Sequence, residues 1–99
     1  MTKSELAAKM QENQAWLPGK RVKLDFGGDG TIMLDGAASQ VTEDDGDADT
    51  TIKISWDDWQ SMAAGQLDGM TAFMTGKLKV EGDMGNAMQL QGVLSKLRG

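Results

Sequence analysis

The side chains that could do chemistry in this 99-residue chain are its carboxylates, hydroxyls and lysines, because it contains no His, Cys or Tyr. That composition removes imidazole bases, thiolate nucleophiles, phenolic acids and the usual Cys/His zinc sites together. The serines and lysines sit in no nucleophile motif, so the chain is not expected to be an enzyme. Asp45, Asp47 and Asp49 have the 1-3-5 spacing of an EF-hand loop. The sixth position, however, is Thr50 where Gly is needed, and the twelfth is Trp56 where a bidentate Glu belongs. The spacing therefore points to a solvated loop, and no metal or cofactor is expected. "GGDG" at 27–30 is a turn and not a phosphate cradle, since no Lys-Ser/Thr pair follows it.

What the chain offers in place of reactive groups is methionine. Of its eight methionines, five (Met62, Met70, Met74, Met84 and Met88) fall between positions 62 and 88. Methionine at helical spacing ordinarily means plain core, but it also repacks readily around irregular shapes. This density suits a pocket whose ligands vary in form. A copper site is not favoured, because no His or Cys assists and the spacing follows the core face. Trp16, Trp56 and Trp59 are expected to rim such a pocket or to anchor helices on a sheet.

Charge narrows the partners. The formal net charge is -5, and the five carboxylates of "EDDGDAD" at 43–49 account for all of it. The acidity belongs to one loop, there is no basic stripe, and no nucleic-acid partner is expected. With no apolar signal-peptide core and no run of 18 apolar residues, the expected location is the cytoplasm.

The elements that must position these residues can be read from period and punctuation. "TKSELAAKMQENQAWLPG" reads as a helix capped by Thr2 with Glu5, stopped at Pro18-Gly19, with Leu6, Met10 and Leu17 on one face. "KRVKLDFG" alternates, with Val22, Leu24 and Phe26 inward, and the turn leads it into a hairpin with "TIMLDG". A short strand is expected near Ser39 to Thr42. "DTTIKIS" follows with Ile52 and Ile54 inward, then a helix begun by Ser55 and stopped at Gly65. A short helical piece closes at Gly76, and "KLKVEG" turns Leu78 and Val80 inward. A last helix runs from Met84 to Leu97 with Asp83 as its N-cap.

This order predicts one α+β domain over residues 1–99. It has two layers: a mainly antiparallel sheet with one face solvated and the other covered by helices. On the last helix, Gln91 and Ser95 form an i, i+4 polar pair inside the apolar arc that Leu90 and Leu94 share. Such a pair either sits at the rim of the core or meets the polar end of a ligand.

The run from Ala72 to Leu90, "AFMTGKLKVEGDMGNAMQL", resembles the sterol carrier protein family of non-specific lipid-transfer domains. That family's hallmark is A-F-x-x-G-K-L-K-[IV]-x-G-[ND]-M-G-x-A-M-x-L, and every fixed position is present. The resemblance implies a sheet of about five strands and helices enclosing an apolar tunnel for fatty acids, fatty acyl-CoA, sterols or phospholipids. It marks Phe73, Met74, Leu78, Val80, Met84, Met88 and Leu90 as tunnel wall and Gln91 as a polar contact. The face argument adds Met62 and Met70, and the last helix adds Leu94 and Ser95. The implied role is non-catalytic carriage of a lipid ligand, with transient membrane contact. An alternative is an accessory module presenting a quinone precursor or acyl-CoA to a lipid-metabolising enzyme.

Overall fold

The computed structural model describes residues 2–95, apart from the side chains of Ala63, Gln91, Leu94 and Ser95. Helix α1 (Lys3–Glu12) starts at Thr2, whose hydroxyl accepts the Glu5 N–H while the Glu5 carboxylate accepts the Thr2 N–H. That backbone donation from Thr2 holds the Glu5 carboxyl below its ordinary range. The helix ends earlier than the expected stop at Pro18. Asn13 turns its amide back onto the Lys9 carbonyl at 2.8 Å, and Gln14 takes a φ of 52°. The capped end satisfies the last carbonyls and frees Ala15 and Leu17 to reach the core from a loop.

Strands β1 (Arg21–Asp25) and β2 (Thr31–Asp35) form the expected hairpin, closed by a 3-10 turn at Gly27–Asp29. Asp25 supports that turn by accepting the Gly27 N–H at 2.9 Å. β3 (Gln40–Thr42) pairs with β2 at the sheet edge. β4 (Thr50–Ile54) then pairs not with β3 but with β1, in parallel, and β5 (Leu78–Gly82) closes the other edge antiparallel to β4. The order is β3-β2-β1-β4-β5, a mixed five-stranded sheet of an α+β fold.

Val22, Leu24, Ile32, Leu34, Ile52 and Ile54 line one sheet face. There they join Leu6 and Met10 of α1, Trp59 of α2 (Trp56–Ala63) and Leu90 of α4 (Met84–Ser95) in a single core. Ser55 caps α2 by accepting the Asp58 N–H at 3.1 Å, which sets Trp59 edge-on to Phe26 with centroids 5.8 Å apart. Trp56 meets the same ring at 5.1 Å. Among the described residues, no helix is long and apolar enough to cross a membrane.

The opposite face departs from the expectation of a solvated surface. Met33 points to that face and is 1% exposed. The acidic segment 43–49 covers it on the way from edge strand β3 to β4. Lys23 Nζ reaches Asp45 at 3.1 Å and the Gly46 carbonyl at 3.2 Å, and the Thr31 hydroxyl donates to the Asp44 carbonyl. Asp49 accepts the Arg21 backbone N–H at 2.9 Å. The carboxylates read as a solvated loop thus tie a crossover to β1. Lys23→Ala should destabilise the fold by about 1 kcal/mol and accelerate amide exchange at Asp44–Gly46, with β5 unchanged. Hydrogen exchange checks this, and uniform acceleration across the sheet would deny the loop a specific tether.

Candidate functional site

The matched sequence run occupies one corner of the fold, where α3 (Gly69–Met74), β5 and α4 follow one another. Asp68 starts α3 by accepting the Thr71 N–H at 3.2 Å. Gly76, at φ 81°, ends it, and the Lys77 N–H returns to the Ala72 carbonyl at 2.9 Å. Ala72 is fully buried, so α3 presses its small face inward and carries Met70, Phe73 and Met74 on the other side.

β5 is an edge strand with its helix-side residues only half covered. Leu78 lies opposite Ile54, and Val80 lies opposite Ile52, yet both are intermediate in exposure while their β4 neighbours are buried. The strand ends at Gly82, φ 95°, where an added Cβ would strike the Asp49 carbonyl oxygen. Asp83 follows and accepts the Gly85 N–H at 2.8 Å, opening α4.

α4 is held to the sheet by a polar pair that sequence reasoning missed. Thr50 is completely buried on β4, and its hydroxyl donates to the Asp83 carbonyl at 2.8 Å. The same oxygen accepts the side-chain amide of Asn86 at 3.2 Å, and Asn86 is 5% exposed. Among the described side chains of α4, Asn86 and Leu90, one turn apart, are the buried ones, with Ala87 and Val93 half-buried beside them. The available signal was the i, i+4 spacing of Asn86 to Leu90, which sets a polar residue on the sheet-facing stripe.

The predicted wall residues therefore divide. Leu90 is fully buried, while Met62, Leu78 and Val80 are half-buried against the core. Met70, Phe73, Met74, Met84 and Met88 are 60%, 43%, 78%, 43% and 67% exposed. Isolated exposed apolar residues need no explanation, whereas these five stand on two consecutive helices that flank a half-covered strand. The side chains of Gln91, Leu94 and Ser95 lie outside the described residues. On the far side of β4 and β5 an open cleft of about 490 Å³ is lined by Lys53, Lys77 and Lys79 together with Asp25, Phe26 and Ile54. Among the described residues, no cluster of carboxylates could hold a metal ion.

The profile of the SCP-2 sterol transfer family matches residues 4–95, which takes in all of the fold but the first residue of α1. The chain belongs to that family. Bovine sterol carrier protein 2 is 39% identical over 59 residues, 60% of this chain and 11% of that protein. The chain thus spans about a tenth of that relative's length. Among solved structures, sterol carrier protein-2 from Aedes aegypti in complex with palmitate superposes with a TM-score of 0.74 at 19% identity, covering 92% of each chain. A ubiquinone synthesis protein described as UbiJ-SCP2 superposes at 0.70 with 17% identity, over 95% of this chain and 93% of that one. At those identities the likeness establishes the shared fold.

Proposed function

We propose that this chain is a non-catalytic carrier domain of the SCP-2 family that shelters one acyl chain, or an apolar molecule of similar size, against the α3–β5–α4 corner. The observation that carries this reading is the uncovered apolar surface of Met70, Phe73, Met74, Met84 and Met88 around half-buried Leu78 and Val80. A ligand seated there takes that surface out of water, with Met62 and Leu90 deeper in. Burial supplies the affinity. At about 0.8 kcal/mol per CH₂, a 16-carbon chain offers roughly 12 kcal/mol gross. Ordering and desolvation costs bring this to micromolar or sub-micromolar binding. Family membership and the palmitate-bound relative support the ligand class, within which fatty acid, fatty acyl-CoA, sterol-like molecules and phospholipid are the ligands proposed. Methionine walls read shape loosely, so selectivity among acyl chains should be low. The proposed place of action is the cytoplasm.

Native mass spectrometry of the purified protein, followed by organic extraction, tests the ligand class directly. Met88→Trp, at a position 67% exposed, should leave the fold intact and weaken a fluorescent fatty acid at least about tenfold by filling the site. Unchanged affinity in a folded variant would move the tunnel elsewhere.

A second reading is favoured by two observations: bovine sterol carrier protein 2 is mostly sequence outside the matched region, and the fold recurs in a ubiquinone synthesis protein. The domain would then present a quinone precursor or acyl-CoA to a lipid-metabolising enzyme. A stable stoichiometric complex with one such enzyme in a pull-down would select this reading over free carriage.

A further inference from the structure

The two edges of the sheet differ. At one, β3 is three residues long, and the Gln11 side chain of α1 accepts its Val41 N–H at 2.7 Å. At the other, β5 runs for five residues. Among the described residues no hydrogen bond joins its backbone to any element but β4. The outward N–H and C=O groups of such a strand are open to pairing. Lysines often blunt an edge of this kind, and Lys77 and Lys79 taken alone fit that role. They do not stand alone. The segment Lys77-Leu78-Lys79-Val80-Glu81-Gly82-Asp83 carries two cations before Val80 and two carboxylates after it, at matched distances. Lys79 and Glu81 are exposed on the sheet face away from the helices. Lys53 lies directly opposite Lys79 in the β4–β5 register, and Glu81 pairs with Lys53 at 3.2 Å. Like charges directly opposite are unfavourable, and among the described residues Lys79 has no ion-pair partner.

We propose that β5 pairs antiparallel with β5 of a second copy about a two-fold axis through Val80, joining two five-stranded sheets into one. In an antiparallel ladder, alternate residues turn both backbone groups toward the neighbouring strand. An axis through a residue sets residues of equal parity opposite each other, so the outward groups of both strands meet. Charge then selects the register. An axis through Lys79 sets Lys79 against its own counterpart, and one through Glu81 sets carboxylate against carboxylate. The Val80 axis sets Lys79 opposite Glu81 of the second copy, twice, with Val80 against Val80 on the helix side. This self-complementary order of charges is what names a second copy as the occupant. An uncharged strand from another protein would leave Lys79 beside Lys53 with no carboxylate. The inference stands apart from the carrier reading, because the contact uses the strand's edge and its outer face.

Sedimentation velocity over a concentration series, at about 0.05 M and about 0.5 M salt, tests this. The protein should show a monomer–dimer equilibrium that the higher salt weakens. Amide exchange should slow at Leu78–Gly82 as the dimer forms, with β3 unchanged. Lys79→Glu and Glu81→Lys should each weaken self-association at least about tenfold, since each sets like charges opposite one another twice. Mixed one to one, the two variants should pair with each other about as well as the native chain pairs with itself. The mixture restores opposite charges at both positions. Both substitutions fall at exposed residues, and circular dichroism checks that each variant folds. Should one fail to fold, the salt and exchange readouts on the native chain decide the matter. A chain that stays monomeric across the series would overturn the proposal. So would a dimer that both single variants leave intact, or variants that fail to pair when mixed. Either result would put the contact elsewhere, with the exposed methionines of α3 and α4 the next surface to test.

Discussion

Gly36→Ala is expected to destabilise the protein by about 3 kcal/mol, a large share of what a domain this size holds in reserve. Gly36 lies just past β2, buried beneath the loop that leads from α1 to β1. Its N–H donates to the Lys20 carbonyl at 2.7 Å and its carbonyl accepts the Gly19 N–H at 3.2 Å. A Cβ at this position would collide with the Leu17 carbonyl oxygen and lie 2.6 Å from the Leu17 carbonyl carbon and 2.8 Å from the Lys20 oxygen. All three are backbone atoms, so no side chain can swing aside. Relief requires moving the segment that seats Leu17 and Ala15 in the core. A thermal melt should show the midpoint falling by about 15 °C. A fall of under about 4 °C would mean that the Leu17–Lys20 loop yields without loosening the core.

Thr50→Val is expected to cost about 2 to 3 kcal/mol although it preserves shape and removes a single hydroxyl. In the native fold that hydroxyl donates to the Asp83 carbonyl and accepts from Asn86, inside the junction of β4, β5 and α4. Valine leaves a buried amide and a carbonyl competing for no partner. The loss should be local as well as global. Amides from Gly85 to Leu90 should exchange faster, while those of the β1–β2 hairpin keep their order relative to one another. Thr50→Val/Asn86→Leu should recover part of the stability, because removing both partners costs less than orphaning one. If the double variant loses the sum of two separate substitutions, the pair is not coupled and α4 is held by Leu90 alone.

Much of the fold was readable from punctuation and period. Thr2, Ser55 and Asp83 act at the helix starts where their spacing placed them, and Gly76 stops α3 at φ 81°. The alternation of Val22, Leu24, Ile32, Leu34, Ile52 and Ile54 identified one sheet face, and the core lies there. The end of α1 was misread because Asn13 caps it through a side-chain bond that no periodicity signals. The carboxylate residues of the acidic segment are exposed, as read, but its tethers to the sheet were not legible. Their partners, Lys3, Arg21 and Lys23, are more than twenty positions away in the chain.

The candidate site was legible in part. The matched run lies at one corner, where Leu78 and Val80 face the helix layer as read and Leu90 is buried in the core. Asn86 was passed over, because a polar residue on a methionine-rich helix carries no sign that a buried threonine waits 36 positions earlier.

By itself the sequence determined which residues share a face, where helices begin, and which family the chain resembles, since these depend on neighbours within a turn or a strand. Only the tertiary structure decided that β4 lies parallel to β1, because alternation orders a strand's two faces and says nothing about which strand stands beside it. It alone buried Met33 beneath the crossover, and it alone left Met70, Met74 and Met88 uncovered. A helical wheel registers apolarity, and apolar residues that end in the core and those left exposed are chemically the same until the sheet takes its place.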